Sequence, residues 1–211
     1  MTFDMLSEED FHRFLPSDGG FMDKLERRSV REGVPIIGPN VAGLLTVLVR
    51  ATGARRVLEL GTANGYSTIF LARALPGDGR VVTVEWSQDL ADEARANFRE
   101  TGVEDRIELL VGDALELIGE QPDGGFDMVF IDIEKEMYSD ALGDCVRVLR
   151  PGGLLVSDNV AFRSSGDYNE RLHGHPDLET SFVYGVFHDH SPDEDALALS
   201  VKVGGRDPGV R

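Results

Sequence analysis

Asp132, Asp158 and Asn159 are hard oxygen donors in the second half of the chain. Magnesium-like cations take few protein oxygens of this kind and keep positions open for water or substrate, whereas zinc prefers nitrogen and sulfur. Lys135 stands three residues after Asp132. Beside a cation an amine loses affinity for its proton and can act as a base. Glu85 closes an apolar run, a place where a carboxylate accepts hydrogen bonds from ribose hydroxyls. Gly61 and Gly65 bracket a loop whose backbone a ligand can approach closely. Ser67 follows, and its hydroxyl with the free N–H groups of a helix's first turn suits a carboxylate. Trp86, the single tryptophan, either stacks on an adenine or packs on the rim.

Each signal has a plainer alternative when taken alone. G-x-x-x-G also describes a tight strand-to-helix turn, Asp158-Asn159 an Asx turn, Glu85 a solvated strand end and Lys135 a surface lysine. The dinucleotide fingerprint G-x-G-x-x-G is absent, because Ala63 replaces its second glycine. Other residues promise less. His173-x-His175 and His188-x-His190 fall in Asp- and Pro-rich stretches that read as solvated loops. Cys145 sits among apolar helix residues and reads as core. Asp193-Glu194-Asp195 reads as a charged loop without specific chemistry.

The elements that must position these residues follow from hydrophobic pattern. Short apolar runs at Val57–Leu60, Val81–Glu85, Ile107–Val111, Phe126–Asp132 and Leu154–Asp158 alternate with helical segments at Tyr66–Leu75, Ser87–Glu100, Ala114–Gly119 and Met137–Leu149. Ser87 reads as a helix cap, and Pro151-Gly152-Gly153 as the turn before the fifth strand. Continuous apolar strands joined by helices predict a doubly wound, Rossmann-like parallel sheet covered on both faces. Every polar group named above then lies just beyond a strand's carboxyl end, where such sheets bind ligands. Thr180–Phe187 and Ala196–Val203 predict an antiparallel pair at one edge. Helices are expected over Ser7–Phe14, Gly20–Arg31 and, capped by Asn40, up to Ala51, with Gly53 ending the last.

With 211 residues, 41% hydrophobic and 28% charged, the chain suits one globular domain. Within it, 1–52 is expected to form a helical cover, 57–160 the ligand-binding sheet and 161–211 a last helix and the terminal strands. No apolar run approaches the roughly 18 residues a membrane span needs, and the acidic start lacks a signal peptide, so a cytoplasmic location is expected. One cysteine excludes an intramolecular disulfide. The net charge of −17 repels nucleic acid and anionic membrane. Only Lys24, Lys135 and Lys202 are lysines among 21 basic residues, a balance resembling proteins of salt-loving microbes.

Gly38 to Asn159 resembles the cation-dependent class I S-adenosylmethionine O-methyltransferases of the catechol and caffeoyl-CoA type. The matching residues are Val57-Leu58-Glu59-Leu60-Gly61-Thr62, Gly65-Tyr66-Ser67, Glu85, Gly112-Asp113-Ala114, Phe130-Ile131-Asp132, Lys135, Tyr138, and Gly152-Gly153-Leu154 through Asp158-Asn159-Val160. Tyr168-Asn169 and Ala196 to Lys202 resemble the family's last helix and strand. The resemblance implies that Glu59, Gly61, Gly65 and Ser67 hold the methionine end of S-adenosylmethionine, Glu85 the ribose, and Asp113 and Ala114 the adenine beside Trp86. Ile37 and Gly38 would cover the cofactor. Asp132, Asp158 and Asn159 would bind Mg²⁺, with Asp132 also facing the cofactor and sharing the catalytic centre with Lys135, the base. It further implies a homodimer, and the N-terminal helices, where Phe11, Phe14 and Phe21 offer apolar contact, could either form its interface or cover the active site. Glu134 departs from the aspartate common in the family, and the short segment after Asn159 argues for a small catechol-like or dihydroxy-aromatic acceptor. Two alternatives remain at this point: a tRNA hydroxyuridine methyltransferase of the same family, and a NAD-binding oxidoreductase.

Overall fold

The computed structural model describes residues 13–17, 19–187, 189, 190, 192 and 194–204. Its seven-stranded sheet has the order β3-β2-β1-β4-β5-β7-β6. The strands are β1 Arg56–Leu60, β2 Arg80–Glu85, β3 Ile107–Val111, β4 Phe126–Ile131, β5 Leu149–Ser157, β6 Leu178–Val186 and β7 Glu194–Lys202. The first five pair in parallel, while β7 runs antiparallel to both β5 and β6. The expected doubly wound sheet with an antiparallel edge pair is therefore the fold. Because β1 to β5 point one way, their carboxyl ends share one rim.

The helices are α1 Phe21–Glu32, α2 Gly38–Thr52, α3 Tyr66–Ala74, α4 Gln88–Thr101, α5 Ala114–Gly119, α6 Tyr138–Val148 and α7 Gly166–Gly174. Strand side chains alternate between two cores. Val57, Val81, Met128, Leu154 and Val156 pack with Leu45, Ile69 and Phe98 from α2, α3 and α4. Leu58, Val82, Val129, Ile131 and Leu155 pack with Ile118, Cys145 and Tyr168 from α5, α6 and α7. Burial on both faces explains why these strands read as unbroken apolar runs. Cys145 is core, and burial pushes its thiol up to about 12.

Several boundaries differ from the sequence expectation. Helix α2 begins at Gly38, so Asn40 lies in its first turn and does not cap it. Pro39 suits a helix start, since its missing N–H would be unpaired there anyway. Strand β5 begins at Leu149 and absorbs the Pro151-Gly152-Gly153 turn as an irregularity, because its pairing with β4 shifts register between Phe126 and Met128. The helix expected over Ser7–Phe14 lies outside the described residues up to position 12, and Arg13 and Phe14 form a turn. Gly33, Gly53 and Gly102 end α1, α2 and α4 in left-handed conformations. The Ser87 hydroxyl accepts the Leu90 N–H and caps α4 as expected.

Candidate active site

Each strand exit on the rim is fastened to its neighbour. Gly61 N–H and Thr62 N–H donate to the Val84 carbonyl, and Gly112 N–H donates to Glu85. Asp132 N–H donates to Leu60 at 2.8 Å, and Asp158 N–H to Ile131 at 3.0 Å. Asp132 and Asp158 thus leave neighbouring strands side by side.

The glycine loop owes its glycines to the protein's own packing. Gly61 has φ +101°, and a Cβ there would stand 2.0 Å from the Asp132 carbonyl oxygen. Gly65 has φ +87°, and its Cβ would stand 2.5 Å from the Phe98 ring. Buried side chains hold the loop from below. Asn64 donates to Ser29 Oγ, and Asn97 donates to the Asn64 carbonyl, tying the loop to α1 and α4. Glu85 accepts Ala63 N–H at 2.8 Å and Ser87 N–H at 2.9 Å, so its carboxylate joins the loop to the start of α4. Asp113 caps α5 by accepting from Leu115 and Glu116, with Ala114 buried behind it. Ile37 and Gly38 are buried where α2 begins, Gly38 with φ +63°. Trp86 is 77% exposed and belongs to the rim, away from the core.

Beneath the loop lies Glu59, wholly buried. Its Oε2 accepts from Thr68 and from Thr83. Its Oε1 is buried without a hydrogen-bond partner. Burial pushes Glu59 up to about 7, against the Ser67, Thr68 and Thr83 hydroxyls, and the charge of Asp132 adds to the rise.

Asp132 stands between two further carboxylates, because its charge also raises the proton affinity of Asp158. Lys135 answers it: Nζ donates to Asp132 Oδ1 and to the Ile133 carbonyl, each at 2.9 Å, and lies 5.5 Å from the Tyr138 ring centre. The buried Tyr138 O–H is shared between the carbonyls of Ile131 and Asp158, at 3.1 and 3.0 Å. It clamps β4 to β5 directly under the two aspartates.

Asp158 has a partner that the sequence reading did not foresee. His190, 4% exposed, places Nε2 3.0 Å from each Asp158 carboxylate oxygen. Burial works against a charged imidazolium, but the hydrogen bond and charge of Asp158 outweigh it and raise the affinity of His190 for its proton. The solvated-loop reading is therefore wrong for His190; His188 lies outside the described residues. It holds for the other pair, where His173 is exposed and His175 accepts the Asp177 N–H.

Asp195 also corrects an expectation. It lies in β7, wholly buried, and accepts from the Asn159 side chain and from Ala161 N–H and Ala196 N–H. Asp193 lies outside the described residues. Asn159 has φ +52°, a left-handed conformation that a non-glycine residue adopts at a cost. The Asp195 bond orients its amide in that conformation.

The rim can thus do three things. It offers an orphaned carboxylate oxygen to a cationic or N–H donor at Glu59. It offers a carboxylate beyond β2 at Glu85. It also sets a lysine amine against the Asp132 carboxylate, with Asp158 and Asn159 leaving the neighbouring strand. Among the described residues, no three His, Cys, Asp or Glu side chains already converge as a metal cage. The donor chemistry nevertheless fits a hard cation, since the mutual repulsion of Asp132 and Asp158 is relieved by one.

Known proteins are similar to this chain in sequence and fold. A family model described as O-methyltransferase matches residues 17–171. The catechol O-methyltransferase of Mycobacterium tuberculosis is 46% identical over 116 residues, 55% of this chain and 53% of that protein. The catechol O-methyltransferase of Niastella koreensis is 39% identical over 133 residues, 61% of this chain and 60% of that protein. The match thus spans little more than half the length of these relatives. The crystal structure of TomG, a Streptomyces achromogenes O-methyltransferase in complex with SAM, superposes with a TM-score of 0.80 at 30% identity, covering 92% of this chain and 94% of that one. An O-methyltransferase from Bacillus cereus in complex with SAH gives 0.81 at 28% identity, covering 91% and 94%. A glycine loop, an acidic rim and a family match reaching from α1 into α7 have a common origin: the chain belongs to the O-methyltransferase family.

Proposed function

We propose that this protein transfers a methyl group from S-adenosylmethionine to a hydroxyl of a small catechol-like acceptor, assisted by a divalent cation. The observation that carries this reading is Lys135 Nζ placed 2.9 Å from Asp132 Oδ1, on the rim that also carries the glycine loop and Asp158. When bound, the sulfonium supplies an activated methyl group, and Mg²⁺ or a similar cation supplies charge that favours the ionised form of a vicinal diol.

The chain's own residues do the rest. The glycine loop and Ser67 line the place for the methionine end, and Glu59 presents its unpartnered Oε1 below. Glu85 accepts from ribose hydroxyls, with Asp113, Ala114 and Trp86 around the base and Ile37 and Gly38 as cover. Asp132, Asp158 and Asn159 would hold the cation. Lys135 takes the proton of the attacking hydroxyl, and Asp132 receives the resulting ammonium's hydrogen bond. The bound sulfonium would supply the methyl group to that oxygen, and holding the two in line is a gain of fixed orientation.

The acidic rim suits a cationic cofactor better than a polyanionic acceptor, which favours a small phenol over tRNA. We further infer a cytoplasmic enzyme adapted to salt. A homodimer would cover the exposed Phe182, Tyr184 and Val186 of edge strand β6.

The test is release of S-adenosylhomocysteine with catechol, Mg²⁺ and molar KCl, with and without chelator. Chelator-sensitive turnover is expected. Turnover indifferent to chelator would overturn the role of the cation. No turnover with catechol, but turnover with hydroxylated tRNA, would overturn the acceptor.

A further inference from the structure

Asp195 takes no part in the mechanism just given, yet it holds one of the three cation donors that mechanism invokes. It is wholly buried in β7. Its Oδ1 accepts Ala161 N–H at 3.2 Å and Ala196 N–H at 2.7 Å, while Oδ2 accepts from the Asn159 side-chain NH₂. His190 Nδ1 stands 4.0 Å from Oδ2, beyond hydrogen-bond reach. Three N–H donors thus converge on one side chain. A carboxylate accepts from all three and offers no hydrogen in return.

The backbone of Asn159 is fixed by other contacts. It follows β5 with φ +52°, donates its N–H to Asp158 Oδ1 at 2.9 Å, and its carbonyl accepts from Ser165 Oγ at 3.2 Å. Val160 N–H then donates to the Ala196 carbonyl at 3.0 Å. What is left to set is the way the side-chain amide faces. Its two senses have nearly the same shape and differ in whether NH₂ or oxygen lies on a given side. Beside an acceptor-only Asp195 the NH₂ must face β7, so the amide oxygen is turned to the opposite side. A hard cation takes that oxygen and would be repelled by the NH₂.

We propose that Asp195 is a positioning residue for the reaction: by accepting the Asn159 NH₂ it sets the sense of that amide, so that Asn159 meets the cation with oxygen. The proposal rests on the cation-assisted reading above. It makes a reversal predictable. In Asp195→Asn the new side chain keeps its oxygen on the Ala161 and Ala196 N–H groups, since turning its own NH₂ to them would set donors against donors. That NH₂ then meets Asn159, whose amide must flip, with oxygen toward β7 and NH₂ toward the cation. The swap Asn159→Asp with Asp195→Asn keeps one carboxylate and one amide and reverses the hydrogen bond between them. One oxygen of the introduced carboxylate accepts from β7, and the other is left for the cation.

The experiment is Mn²⁺ and Mg²⁺ binding by the full chain, followed by titration calorimetry, with S-adenosylhomocysteine affinity and melting temperature measured on the same samples. Asp195→Asn should lower affinity for both ions about 10–100-fold, the usual cost of losing the partner behind a ligand, while S-adenosylhomocysteine affinity holds. The swapped pair should regain the lost ion affinity. A folded Asp195→Asn that binds both ions like the parent would overturn the proposal and leave the cation reading intact. So would a swapped pair that regains stability without ion binding. Failure of the parent to bind either ion would overturn both. If neither variant folds, the parent decides: its Asn159 side-chain N–H signals in nitrogen-15 NMR should exchange slowly with solvent and stay slow as Mg²⁺ is added. Fast exchange, or release on adding Mg²⁺, would remove Asp195 from this role.

Discussion

Gly61 and Asp132 are in backbone contact across the rim: a Cβ on Gly61 would stand 2.0 Å from the Asp132 carbonyl oxygen. The glycine loop and the proposed cation site therefore pack backbone against backbone at this point. Gly61→Ala must shift Asp132 or break the loop, and it also places alanine at φ +101°. A loss of about 2 kcal/mol or more in unfolding free energy is expected, with S-adenosylhomocysteine affinity down roughly tenfold. Denaturant titration and calorimetry measure the two. An unchanged unfolding midpoint would show that the two loops are not in contact.

Lys135→Met tests the base. The amine bonds Asp132 Oδ1 and the Ile133 carbonyl, and none of its hydrogen bonds reaches the glycine loop. Turnover should fall by about 10²–10⁴-fold, the usual range for a lost general base. S-adenosylhomocysteine affinity should stay within about twofold, because the loop is held instead by Asn64, Asn97 and Glu85. Equal loss of both quantities would make Lys135 a structural residue only.

Tyr138→Phe removes the O–H shared by the Ile131 and Asp158 carbonyls. The ring stays in its T-shaped contact with Tyr168. The cost should be about 1–2 kcal/mol, a buried hydrogen bond lost at the Asp158 carbonyl, while the Ile131 carbonyl keeps the Asp158 N–H. A fall in kcat larger than that in stability alone predicts would mark the clamp as positioning Asp132 and Asp158. A variant as stable and as active as the parent would assign the hydroxyl no role.

The sheet was legible because β1, β2, β4 and β5 are buried on both faces, so each reads as an apolar run ending in a polar group. The rim residues Gly61, Glu85, Asp132 and Asp158 were legible for the same reason, since strand ends fix their address. His190 and Asp195 were not. His190 enters from the connection between β6 and β7 and Asp195 from β7, so their partners are set by how the antiparallel pair returns to the rim rather than by local spacing. An acid such as Asp195 looks like surface charge until Asn159 is placed beside it. The reason for Gly61 was also hidden. Sequence suggested room for a ligand, whereas the space is filled by the Asp132 carbonyl of another strand.

The net charge of −17 predicts salt-dependent stability. Like charges repel within a compact chain, and molar salt shortens the screening length to about 3 Å. The melting temperature should rise steadily from dilute buffer to molar KCl. Sucrose of matched osmotic strength should give a smaller rise. Full stability in dilute buffer, with no gain in KCl, would make this an ordinary acidic protein.

Glu59 predicts the pH dependence. Its unfolded value is 4.5, and burial first of all lifts the folded value to about 7. The folded state therefore binds the proton more tightly than the unfolded chain. Stability from this group is full below about pH 4.5, declines as pH rises toward 7, and stays lost above it. The whole loss is roughly 3 kcal/mol. Glu59→Gln has no proton to lose, so its stability curve should be flatter than the parent's between pH 5 and 8, by roughly that amount. The variant should be the more stable protein at pH 8 and nearly level with the parent at pH 5. Parallel curves would place the buried carboxylate's proton elsewhere. S-adenosylmethionine bears an ammonium group and a sulfonium, so its binding should lower the Glu59 value again and restore stability at pH 8 in the parent alone. A stabilisation by ligand that is equal in Glu59→Gln would remove Glu59 from the cofactor site while leaving its burial penalty in place.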